Sequence, residues 1–183
     1  MLAGSPAPRT QYKHPALGTQ HGTPHPEPRT ENRELSLRWL LAALHLMGLG
    51  IGLGAAWGRS RALRGALDMP GIHRVLEADT WWGIAALVWI STGLLRAFAG
   101  FEKGTTYYLH NHLFLMKMGG LLLILLLEVG PIVTFGAWRK QLRRGVTPDT
   151  SKAERFARTS IMQAILVLLM VIAATGMARG YGS

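Results

Sequence analysis

The sequence predicts an all-α integral membrane protein, a bundle of four membrane-spanning helices behind a disordered polar tail. Three observations carry that prediction. First, the chain holds four long apolar runs, Trp39–Trp57, Trp81–Phe101, Leu113–Trp138 and Ser160–Ala178, of 19, 21, 26 and 19 residues. A hydrocarbon core about 30 Å thick needs roughly 20 helical residues. Second, the runs lack period-two alternation, and lipid admits only helices and closed barrels. Third, "LLLILLLEVGPIV" is apolar around the whole helix, where a soluble bundle would show an amphipathic stripe.

The elements follow in order. Residues 1–38 hold six of the nine prolines and three histidines, His14, His21 and His25, with no apolar run. Such a segment cannot bury a core, so a disordered, solvated tail is expected. It lacks the charged-then-apolar pattern of a signal peptide. Span 1 carries "HLMGLGIGLG", with Gly48 and Gly52 on the face of His45 and Gly50 and Gly54 as a second small-residue pair. These allow close helix packing, or room for a flat ligand beside His45. In span 2, Trp89 reads as lipid or core packing. In span 3, Pro131 should kink the helix or free a carbonyl.

The loops set the expected topology. Loop 58–80 (Arg59, Arg61, Arg64, Arg74) and loop 139–159 (Arg139, Lys140, Arg143, Arg144, Lys152, Arg155, Arg158) together place eleven basic residues on one side. That side is expected to be cytoplasmic, with both termini periplasmic in a bacterial inner membrane. Trp57, Trp81, Trp82 and Trp138 should form the inner aromatic belt, and Trp39, Tyr107, Tyr108 and Tyr181 the outer one. The net charge of +10 then reflects lipid headgroups rather than nucleic acid. With no cysteine, disulfides, thiolate metal sites and thiol catalysis are excluded. No phosphate-binding loop, nucleophile elbow, zinc spacing or nucleic-acid signature is present.

Ionisable groups inside spans are costly and point to function by default. His45, Arg96, Lys117 and Glu128 are of this kind. An antiparallel bundle brings His45, Arg96, His110, His112 and Lys117 to one leaflet, with Met177 at the same depth. A polar or cofactor-filled pocket in that outer half is the expectation. Snorkelling to headgroups competes for Arg96 and Lys117, an interfacial loop for His110 and His112, and a helix–helix hydrogen bond for His45. Met47, Met116 and Met118 read as packing or as soft-metal ligands. Glu128 lies eleven residues after Lys117, about 16 Å along the helix. It shares the inward face and is too distant to pair with Lys117.

"RWLLAALHLMGLGIGLGAAW", "ADTWWGIAALVWISTGLLRAFAGFEKGTTYYLHNHLF" and "LLEVGPIVTFGAWR" resemble an uncharacterised bacterial family of four-helix membrane proteins, domain-of-unknown-function family 2214. The resemblance covers about residues 37–182. A more distant one joins "LHLMGLGIGLGA" and "FLMKMGGLLLILLL" to the HemJ-type protoporphyrinogen oxidases, and the broad helical plan to CopD-type membrane domains. The HemJ likeness implies a b-type haem with His45 as axial ligand and Lys117 as a substrate- or propionate-binding cation. The "YLHNH" loop departs from that pattern.

Three functions compete. A haem-binding redox protein would use His45, with Lys117 or Arg96 on propionates. A copper-handling or transport protein would use His110, His112, Met116 and Met118 at an outer mouth, or Glu128 as a proton carrier. A structural subunit would pack through the span 1 glycines in a homo-oligomer or membrane complex.

Overall fold

A computed structural model describes residues 28–98 and 112–181. Within them the chain forms four long helices, here α1 (Pro28–Arg64), α2 (Met69–Phe98), α3 (His112–Arg143) and α4 (Ala153–Ala178). All four are long and apolar enough to cross a membrane.

The helices outrun the apolar segments. α1 has 37 residues, about 56 Å, well beyond a hydrocarbon core of about 30 Å. Its N-terminal turns cover residues 28–38, which the sequence assigned to the tail. Local bonds hold helix there without hydrophobic help: Glu34 pairs with Arg38 at 3.8 Å, and Ser36 Oγ donates to the Asn32 carbonyl at 2.8 Å. α3 runs unbroken through the buried Pro131.

α1 packs along α2 and α4, and α3 packs along α4, whereas α2 and α3 touch sparingly. Glycines let the backbones approach. A Cβ on Gly48 would lie 3.0 Å from the Trp89 Cβ, and one on Gly52 3.5 Å from the Ala85 Cβ. Gly50 and Gly54 meet nothing within 4 Å. The first glycine pair therefore joins α1 to α2, and the second faces away from the bundle.

The α1–α2 turn is capped by Asp68, whose carboxylate accepts the Gly71 N–H at 2.8 Å. A Cβ at Gly71 would strike the Ala66 carbonyl oxygen at 1.9 Å, so only glycine closes this turn. The α3–α4 turn uses Gly145 at φ +69°. There Trp138 Nε1 donates to the Asp149 carbonyl at 3.0 Å.

Two apolar layers form the core. Leu63, Ile72, Val75, Phe135, Trp138 and Phe156 pack near the basic end. Ala56, Trp82, Ile124, Ala164 and Val167 pack nearer mid-bundle. Large apolar side chains cover the outside, with Leu87, Val133 and Ile172 each at least 65% exposed. Such a surface suits lipid. The expected inner aromatic belt needs correction. Trp57 and Trp81 face outward, but Trp82 and Trp138 are core residues, each 2% exposed. Trp138 turns inward because the α3–α4 turn offers its indole an acceptor.

Candidate functional site

The most developed polar site lies between the two apolar layers. The sequence places Arg59 in a loop as a topology-setting charge. The structure corrects this: Arg59 lies on α1 and is fully buried. The small and apolar positions Gly52, Ala56 and Leu63 recur on one helix face, and Arg59 continues that face.

All five guanidinium protons of Arg59 are used. Nε donates to Ser160 Oγ at 2.9 Å. Nη1 donates to Asp79 Oδ1 and to Glu128 Oε1, both at 2.8 Å. Nη2 donates to Glu128 Oε2 at 3.0 Å and to Gln163 Oε1 at 2.7 Å. One residue thus binds partners on α2, α3 and α4. Its guanidinium carbon also lies 5.6 Å from the Trp82 ring centroid and 5.8 Å from that of Phe135, one ring from each apolar layer.

The partners are themselves held. Gln163 donates to Glu128 Oε2 and to the Ile124 carbonyl. Ser160 donates to the Phe156 carbonyl at 2.9 Å. The second oxygen of Asp79 accepts from Arg139 at 2.8 Å, and Arg139 also reaches the Leu76 carbonyl. Two guanidiniums and two carboxylates balance in charge. Glu128, the sequence's candidate proton carrier, accepts three bonds here and belongs to this cluster.

The second site surrounds His45. Its Nδ1 lies 2.8 Å from the Trp89 carbonyl oxygen and 3.1 Å from Thr92 Oγ1. A carbonyl only accepts, so Nδ1 carries the proton and, in the neutral ring, Nε2 carries the lone pair. The Thr92 hydroxyl donates to the Val88 carbonyl at 2.7 Å, which leaves its oxygen to accept from His45. Gly93 gives the ring its place, since a Cβ there would lie 2.9 Å from His45 Cε1. The indole Nε1 of Trp89 is buried with no acceptor. Ser60 Oγ and Gln141 Oε1 share that condition. Among the three groups, only the indole is a donor with no acceptor capacity.

The remaining candidates lie at the same end. Arg96 lies in the last turn of α2 and Lys117 in the second turn of α3, both half-buried. A Phe98–Phe114 ring contact at 6.4 Å joins those helices. His112 and Met116 stand one turn apart on α3, both exposed. His110, with Tyr107 and Tyr108, lies outside the described residues. Among the described residues no group of three or more His, Asp or Glu could hold a metal ion.

Sequence reasoning missed Asp79 and the role of Arg59. One signal was present: Asp79 precedes the buried Trp82 by three residues and so shares its helix face.

No curated protein and no solved structure matches the chain. Residues 37–182 match a family model described as a predicted membrane protein, domain of unknown function 2214. That match covers α1 from residue 37 onward, all of the other three helices, and the polar groups of both sites, and the chain belongs to this family of predicted membrane proteins.

Proposed function

We propose that the chain is a cofactor-binding membrane protein that holds a b-type haem in the half of the bundle containing His45. The observation that carries this reading is the buried Trp89 indole N–H without an acceptor, on the residue whose carbonyl anchors His45. Leaving a buried donor unpaired costs about 1–3 kcal/mol, so the site favours a ligand that brings an acceptor. The donor set suits haem. An imidazole with its Nδ1–H on a backbone carbonyl is held in one tautomer and orientation, with Nε2 as the metal-binding nitrogen. Arg96 and Lys117 supply cations at the same end for propionates. Bound haem would supply one-electron redox chemistry. The chain's own part is to orient the imidazole and to balance the carboxylates. In this reading Glu128 serves the polar cluster rather than proton transport.

The test is a haem titration of the purified full chain followed by visible absorption. The parent should bind one haem with a shifted main band. His45→Ala should weaken binding at least tenfold, and Trp89→Phe should shift the band with less loss. Equal binding by His45→Ala and the parent would overturn the assignment.

A further inference from the structure

An open groove of about 640 Å³ runs along α1 and α2 at the basic end of the bundle, on the outside and away from both polar sites. Gly54, Gly58 and Ala62 of α1 and Ala78 of α2 give it an apolar floor, and Ile51 marks its inner end. Arg61, Arg74 and Glu77 line the other end. From Ile51 to Arg61 is ten residues of helix, about 15 Å. That is half of a hydrocarbon core of about 30 Å, the depth of one leaflet. The volume falls within the range of about 300–1,000 Å³ typical of small-molecule sites.

The charges at its mouth differ from the other guanidiniums of the core. Arg59 and Arg139 are held by carboxylates. Arg61 and Arg74 enter no hydrogen bond or ion pair among the described residues, and Glu77 is likewise unengaged. Two uncommitted guanidiniums beside an apolar channel one leaflet deep complement a phosphate with an acyl chain below it. The Glu77 carboxylate, beside them, complements a headgroup that carries N–H or O–H donors.

We propose that this groove binds one phospholipid, with an acyl chain over Gly54 and Gly58, its phosphate between Arg61 and Arg74, and its headgroup donor on Glu77. This makes ethanolamine and glycerol headgroups preferred over choline, which has no such donor. A second copy of the chain fits less well. Two copies meeting here would bring four guanidiniums against two carboxylates.

Native mass spectrometry of the full chain in mild detergent, with phosphatidylglycerol, phosphatidylethanolamine or phosphatidylcholine added, tests this. The parent should retain one phosphatidylglycerol or phosphatidylethanolamine, and phosphatidylcholine at least fivefold less. Arg61→Ala/Arg74→Ala should lower retention at least tenfold, whereas the charge-matched Arg144→Ala/Arg155→Ala should not. Gly54→Leu/Gly58→Leu should fill the groove and expel the lipid. Neither glycine's Cβ would meet anything within 4 Å, so that variant keeps the fold. Equal retention by the parent and both groove variants would overturn the proposal. So would a parent dimer that Gly54→Leu/Gly58→Leu converts to monomer, which would make the groove a subunit interface. Equal retention of all three lipids would overturn the assignment to Glu77.

Discussion

The two halves of the bundle treat buried polarity in opposite ways. At the basic end, Arg59 spends every guanidinium proton on partners from the three other helices, and each carboxylate is engaged at least twice. At the opposite end, His45 is anchored to α2 through one ring nitrogen, and the neighbouring indole N–H has no acceptor. A buried ion pair costs several kcal/mol per ion in desolvation, and it repays that only with good geometry and complete hydrogen bonding. The Arg59 cluster meets that condition and fixes how four helices meet. The His45 region carries an unmet donor, which the proposed ligand would satisfy. The contrast sets a clamp against a proposed ligand site.

Breaking the clamp should have the largest effect. Arg59→Met leaves Glu128 and part of Asp79 buried without their counter-charge, and should cost about 3–5 kcal/mol. The folded fraction remaining after graded SDS or heating reads this directly. Arg59→Met/Glu128→Leu removes both charges, while Asp79 keeps Arg139. It should recover most of the loss. If the double variant were as unstable as the sum of the two single ones, the two residues would not act as a pair.

The helix contact beneath His45 comes next. Gly93→Ala places a methyl 2.9 Å from His45 Cε1, so the ring or the helix must move. Overpacking of this kind costs about 1–3 kcal/mol. Gly50→Ala, on α1 with His45, meets open space and should be near neutral in the same assay.

His45→Ala should cost less in stability, about 0.5–1.5 kcal/mol for the lost bond to α2. Its loss of haem should far exceed that change, because a ligand-binding role and a packing role separate there. A stability loss equal to that of Arg59→Met would instead make His45 a second clamp.

The smallest effect lies outside the membrane. Asp149 in the α3–α4 turn accepts the Ser151 backbone N–H at 2.9 Å and its hydroxyl at 3.0 Å, which hold its carboxyl below the usual range. A depressed carboxylate contributes stability that is present above the ordinary value and lost as pH falls through the folded one. Asp149→Asn should therefore flatten the acid side of the stability profile slightly, measured by thermal unfolding across pH.

Much of this architecture was legible. Four apolar runs gave four helices, and Gly48 and Gly52 gave the close face of α1. Glu128 was placed on the inward face, beyond reach of Lys117. The clamp was hidden for a physical reason. Arg59 stands in "RSRALR", where basic residues read as headgroup contacts, and its partners lie 20, 69, 101 and 104 residues away. Linear spacing says nothing about such pairs. Only helical phase, which sets Arg59 behind Ala56 and Asp79 ahead of Trp82, pointed inward. The aromatic belt misled in the same way, since Trp138 at a span end has its acceptor in a turn that no pattern foretold.

The central claim is that the half around His45 is a cofactor site. Its most direct test is the oxidised and dithionite-reduced absorption spectrum of the full chain, purified in detergent from haem-replete cells. The account predicts sharp reduced bands of a b-type haem in the parent, absent in His45→Ala and retained in Arg59→Met/Glu128→Leu. A featureless spectrum of the folded parent would contradict it.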